Sequence, residues 1–199
     1  MSDERVVLRV DDPETRAYTL LGALVVPRPI AWVSTLSADG VGNLAPHSYF
    51  TVVSTTPPMV AFTSVGAKDT LANVEATREF VVNLATEPLV DQVNRSSAPY
   101  SPDRDEAAEL AIAMEPSETV APYRVTASPA AMECRLDRVV PLGNSFLVIG
   151  EVLAFSLRAD ALEDGYPVMD RLRPLSRLGR NEWGRPPEVM RIDRPTSVD

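Results

Sequence analysis

Hydrophobic positions change their spacing several times along the chain, and each change marks an element. Ala17, Leu20, Leu21 and Leu24 recur at helical spacing. They follow Asp12-Pro13, an N-cap with proline in the first turn, so a short helix is predicted from about Pro13 to Leu24, ended by Pro27 and Pro29. Ile30 to Leu36, rich in β-branched and aromatic residues, predicts a strand. Ser37-Ala38-Asp39-Gly40 supplies a turn and Val41 to Ala45 returns antiparallel. Tyr49 to Val53 and Met59 to Thr63 predict two more strands, parted by Pro57-Pro58. A short helix begins at Lys68-Asp69-Thr70, capped by Asp69 or Thr70, and runs to about Arg78; the strand Glu79 to Leu84 follows.

The pattern weakens from Thr86 to Ser128, where five prolines separate helical fragments at Pro88 to Asn94 and Glu106 to Met114. This stretch reads as an excursion, long enough to serve as an arm over a partner, and not as a second domain. Ala131 to Val139 and Ser145 to Leu157 predict a hairpin turning at Gly143-Asn144. From Arg158 onward the chain reads as mostly irregular. Short strands with a few short helices, not regularly alternating, predict a mainly β, antiparallel barrel over a doubly wound α/β sheet. A single domain is expected over 1–199, with a core at about 25–157, the excursion at about 86–128 and the tail at 158–199.

Composition narrows the functional classes. A net charge of −9 with no basic stripe argues against nucleic acid as a partner. The polar start and the lack of a long apolar run argue against a signal peptide and a membrane span. One cysteine, Cys134, rules out an internal disulfide and suits the cytoplasm; its strand context reads as a buried structural thiol. One histidine, His47, and one cysteine do not build a usual zinc site, so no metal is expected. Gly40-Val41-Gly42-Asn43-Leu44-Ala45 matches a dinucleotide fingerprint in letters only, because Pro46 follows where a helix must start. A hydrolase is disfavoured, since G-x-S-x-G is absent and Ser48 and His47 are strand neighbours that face opposite ways. Among the 19 basic residues only Lys68 is lysine, which draws attention to it.

Three segments resemble the flavin reductase-like family, the FMN-binding split β-barrels. The first is Pro27-Arg28-Pro29-Ile30-Ala31-Trp32-Val33-Ser34-Thr35 with Asn43-Leu44-Ala45-Pro46-His47-Ser48-Tyr49-Phe50. The second is Pro57-Pro58, Lys68-Asp69-Thr70, Asn73 and Glu79-Phe80-Val81-Val82-Asn83-Leu84; the third is Ser176-Arg177-Leu178-Gly179-Arg180-Asn181-Glu182-Trp183. The resemblance implies an antiparallel split barrel that binds FMN, with FAD left open. It implies a homodimer holding flavin near the interface, and oxidoreductase activity with NADH or NADPH as co-substrate. By the same resemblance Ser34, Thr35, Asn43, Ala45, Pro46, His47, Ser48, Lys68, Thr70 and Trp183 are the cofactor-binding candidates, with Lys68 and Thr70 at the phosphate. No catalytic acid or base is singled out. On residue pattern alone, Ser34 and Thr35 read equally as strand residues, Asn43 as a turn residue, and Lys68 and Thr70 as an exposed cap. Arg180 and Trp183 depart from the second glycine and tyrosine of many relatives, and His47 stands where an aromatic residue is frequent. An electron carrier without nicotinamide turnover and a non-redox ligand-binding barrel are the other readings of the same resemblance.

Overall fold

The computed structural model describes residues 4–196. The outermost ends of the domain expected over 1–199 lie outside the described residues. Seven strands form the main sheet: β1 (Ala31–Leu36), β2 (Gly42–His47), β3 (Phe50–Thr55), β4 (Pro58–Val65), β5 (Glu79–Leu84), β6 (Ala130–Leu142) and β7 (Ser145–Leu157). Their order is β2-β1-β5-β6-β7-β4-β3, every pairing antiparallel. The sheet is not closed, and β2 and β3 are its free edges. The mainly β, antiparallel expectation holds; two strands keep the expected bounds and the others shift by at most three residues.

The sheet curls around its first core. β6 and β7 carry register shifts beside Ile149/Gly150 and Val152/Ala154, and such bulges bend a long hairpin. Gly150 sits at one of them because a Cβ there would lie 2.4 Å from the Phe80 ring. Phe80 stands edge-on to Phe62, their centroids 5.5 Å apart, among Ala31, Val33, Leu71, Val74, Cys134 and Val148. Cys134 is fully buried there, and burial raises its thiol pKa, which fits the structural reading. A second core lies on the other face of β1. It joins Ile30, Trp32 and Leu44 to Leu89, Val93, Ala107 and Val125 of the excursion and Leu175 of the tail.

Three expectations need correction. The helix α1 is Ala17–Leu24, starting four residues later than expected, because the Asp12 carboxylate accepts the Glu14 N–H within a turn and caps no helix. In α2 (Asp69–Thr77) the N-cap is Lys68; neither Asp69 nor Thr70 caps it, and no side chain does. The excursion contains α3 (Val90–Arg95) and α4 (Glu106–Glu109) and packs on its own chain, covering the second core, so it is no arm held out to a partner. The tail is mostly irregular, as expected, but it is anchored: after α5 (Met169–Leu172), Ser176–Arg177 pairs with Arg28–Pro29 and with Trp183–Gly184. No helix among the described residues is long and apolar enough to cross a membrane.

One buried carboxylate fastens the excursion to the sheet. Glu133 of β6 is 0% exposed and accepts the N–H groups of Glu118 and Thr119, the Thr119 hydroxyl and Arg124 Nη1. Burial pushes its pKa up, but these donors outweigh burial and hold it below the ordinary glutamate value. Glu133→Gln removes the charge and leaves Arg124 short of a partner. It should lower stability by roughly 2–3 kcal/mol, measured as a reduced urea midpoint at unchanged slope.

Candidate functional site

β1 separates the site's two supporting networks by simple alternation. Ser34 and Thr35 are adjacent and so face opposite sides of the sheet. Ser34 turns toward the excursion, donating to the Tyr123 carbonyl at 2.6 Å and accepting from Asn83 Nδ2 at 3.2 Å. Thr35 turns toward α2 and accepts from Asn73 Nδ2 at 3.1 Å and, more loosely, from Asn43 Nδ2 at 3.4 Å. Asn43 also donates to the Thr70 hydroxyl at 3.0 Å, and His47 Nε2 lies 3.3 Å from the same oxygen. This chain of buried polar groups ties β1 and β2 to the first turn of α2.

The start of α2 is consequently fixed and open. Gly66, at φ +80, makes the turn out of β4, a conformation that favours glycine. Lys68 follows in extended conformation, and no side chain caps the first-turn N–H groups. Uncapped N–H groups at a helix start carry partial positive charge. Asp69 lies in the same first turn and lines the same cavity.

Three cavities adjoin at Pro46. The largest, about 460 Å³, runs from Asn43, Ala45 and His47 over Lys68 and Thr70 to Tyr100 and Glu106. A second, about 250 Å³, lies between His47, Ser48, Tyr49 and Lys68 on one side and α1 and the tail on the other. The third, about 200 Å³, lies between Ser48 and Trp183. The first falls within the usual range of small-molecule sites, roughly 300–1,000 Å³. Eight candidates, Asn43, Ala45, Pro46, His47, Ser48, Lys68, Thr70 and Trp183, line this composite cleft. Ser34 and Thr35 line none of these three; they border a cavity of about 310 Å³ that shares Asn43 with the largest.

Pro46 does not interrupt β2; the strand continues through it to His47. Trp32 pairs with Pro46, and a residue without an N–H fits only where the ladder needs none. The alternation of an antiparallel pair then turns the Leu44 N–H to the open edge. Glu106 Oε2 accepts it at 2.8 Å. Burial pushes the Glu106 pKa up, the Leu44 N–H bond opposes this, and the charges of Asp105 and Asp69 add to the rise. Glu106 and Arg28 were missed from sequence: nothing in a charged excursion distinguishes one glutamate, and Arg28 is one of many arginines. Arg28 is buried and donates to the carbonyls of Val25 and Leu178, each at 2.8 Å, tying α1 to the tail.

An open antiparallel barrel whose edge strand and uncapped helix start share a cleft defines the class of small-molecule-binding split barrels. A family model for the flavin reductase like domain matches residues 22–176, and the chain belongs to that family. An uncharacterized protein of Halalkalibacterium halodurans is 37% identical over 191 residues, covering 90% of this chain and 91% of its own. Among solved structures, nitrilotriacetate monooxygenase component B from Bacillus cereus superposes with a TM-score of 0.88 at 30% identity, over 95% of this chain and all of that one. The Pseudomonas fluorescens 2-nitrobenzoate 2-nitroreductase NbaA gives 0.84 at 29% identity, over 92% of each chain. Family membership supports a flavin-related function of oxidoreductase type.

The His47 ring packs on Phe62, 4.6 Å between centroids, and is itself buried. Burial lowers its pKa from 6.5 to about 4, with Lys68 adding to the depression and a hydrogen bond involving the Thr63 backbone opposing it. His47 is therefore neutral in the fold but protonates in the unfolded chain. Its contribution is complete above about pH 6.5 and is lost as pH falls toward 4, by on the order of 3 kcal/mol. Denaturant midpoints across that window should fall more steeply for the parent than for His47→Gln.

Proposed function

We propose that the protein is an FMN-binding oxidoreductase that oxidises NADH or NADPH at a flavin seated in the composite cleft. The start of α2 carries the reading. Its first-turn N–H groups are uncapped, Lys68 stands beside them, and both open on the cavity that follows the β2 edge. A phosphate is the group that uses a helix start and a cation together. Lys68 and the first-turn N–H groups hold it, and the Thr70 hydroxyl, which accepts from Asn43, keeps its own proton to donate. Asn43 to Ser48 lie along the ring, and Trp183 closes the far end of the cleft. The neighbour named as a nitroreductase supports redox use of this architecture. When bound, the flavin supplies hydride and electron transfer. The chain's residues bind it, orient it and limit water, and His47, being neutral, forms a wall of the cleft.

A homodimer in the cytoplasm accompanies this reading. α1 has no buried residue, and Tyr18, Leu21 and Leu24 stand exposed beside Val25 and Val26. Val52 and Val53 are exposed on the free edge strand β3. A second copy covering α1 also completes one wall of the 250 Å³ cavity, which Tyr18 and Gly22 line.

The purified protein should be yellow, or become so with FMN, and should consume NADH or NADPH. Fluorescence titration should show FMN bound more tightly than riboflavin, and equal affinities remove the phosphate from α2. Lys68→Ala should weaken FMN about tenfold to a hundredfold, as loss of a charge-assisted hydrogen bond does, and Arg180→Ala much less. Light scattering at low micromolar concentration should give the mass of a dimer, and Leu21→Glu should shift it to monomer.

A further inference from the structure

The 250 Å³ cavity between α1, β2 and the returning tail is lined by four cations, Arg28, Lys68, Arg177 and Arg180, and by no carboxylate. The chain as a whole carries a charge of −9, so a wall of four positive groups is a local inversion. Ten other arginines form ion pairs among the described residues; none of these four cations does.

Arg28 is the clearest case. It is 8% exposed, its donors meet only backbone carbonyls, and its Nε has no partner at all. A buried guanidinium held by carbonyl oxygens keeps its whole charge where the effective dielectric is low, and such a charge calls for a counterion. Arg177 is fixed without being neutralised: Nη2 donates to the Arg180 carbonyl at 2.8 Å and the guanidinium lies 4.8 Å from the Trp183 ring centre. Arg180 occupies a left-handed conformation at φ +49, which glycine fits better, and its side chain makes no hydrogen bond among the described residues. Two other arginines, Arg78 and Arg173, share that conformation, but both end helices, where it is common.

We propose that this cavity binds the oxyanion of a second substrate beside the flavin. The anion is the pyrophosphate of a nicotinamide dinucleotide or the carboxylate of an aromatic electron acceptor, two sources of one chemistry. The proposal rests on the flavin reading in one respect: the flavin phosphate occupies the α2 start, which leaves the three arginines for another ligand. The cavity shares Pro46, His47 and Lys68 with the larger one, so an anion held there stands next to whatever lies along β2.

Calorimetric titration of inorganic pyrophosphate and of benzoate tests it, on the protein as purified and on the protein saturated with FMN. Arg180→Gly and Arg177→Ala are measured beside the parent. The parent should bind one of the two anions in the FMN-saturated state, and each variant should weaken it about tenfold, as for a lost charge-assisted contact. Arg180→Gly should at the same time raise the melting temperature, because glycine is at ease at positive φ; weaker binding then does not reflect unfolding. Preference for pyrophosphate assigns the dinucleotide, and preference for benzoate assigns the carboxylated acceptor. Binding of neither anion, or variants that bind as well as the parent, overturns the proposal. Should Arg180→Gly weaken FMN but not riboflavin, the arginines serve the flavin phosphate; the proposal then falls while the flavin reading stands. Anion binding by a protein that takes up no FMN keeps the anion site and removes the flavin reading.

Discussion

Pro46 has no N–H to give, and much of the site's geometry follows from that. A strand containing it is tolerated at an edge, with proline at a position where the ladder draws no donor, and β2 is the edge strand beside β1. Pairing Trp32 with Pro46 fixes the register of the β1–β2 hairpin. A one-residue slip would carry every side chain of β2 to the other face. The register therefore decides together that Asn43 and His47 meet Thr70, that Leu44 enters the second core, and that the Leu44 N–H reaches Glu106. Three adjoining cavities border this same proline.

The second dependence is burial of β1 on both faces. Five of its six residues are buried. The α2 face is apolar at Ala31 and Val33 and polar at Thr35, where the amides of Asn43 and Asn73 converge. The opposite face receives the excursion and the tail through Trp32, whose indole N–H donates to the Ser96 hydroxyl at 2.9 Å. Polar groups taken out of water here find partners in one another, and a satisfied buried network specifies a single arrangement. That arrangement presents the α2 start to the cleft with its N–H groups free.

Charge is distributed to match. Many of the acidic residues that set the net charge of −9 are paired with arginines elsewhere on the surface, in exposed contacts that contribute little to stability. Arg28, Lys68, Arg177 and Arg180, which form no ion pair among the described residues, line one cavity. Glu106 is a counterpoint, a buried carboxylate with a raised pKa on the other side of Pro46. Within one cleft the α1 side is positive and free of carboxylates, while Asp69 of α2 and Glu106 of the excursion line the larger cavity.

The sequence by itself determined the order and kind of the strands, the long hairpin at Gly143-Asn144, the short helix after Lys68 and the rejection of a dinucleotide fold. These are local matters: alternation, turn chemistry and proline act over a few residues. It also supplied the family motifs and eight of the residues that line the cleft. Tertiary structure decided the rest. Alternation says that Ser34 and Thr35 face opposite ways, but only the packed excursion and α2 show what each meets, and neither lines the three cavities at Pro46. Asp12 and Asp69 have the chemistry of helix caps; a turn at Glu14 and the extended Lys68 decided otherwise. Arg28 looks like any other arginine until Leu178, 150 residues away, closes over it. The tail reads as irregular because strands of two residues leave no periodicity; each exists only by pairing, Ser176–Arg177 with Arg28–Pro29 and Trp183–Gly184, and Leu162–Glu163 with Tyr166–Pro167. Which face a residue takes is written in its neighbours; what covers that face is set by distant chain brought to it by burial.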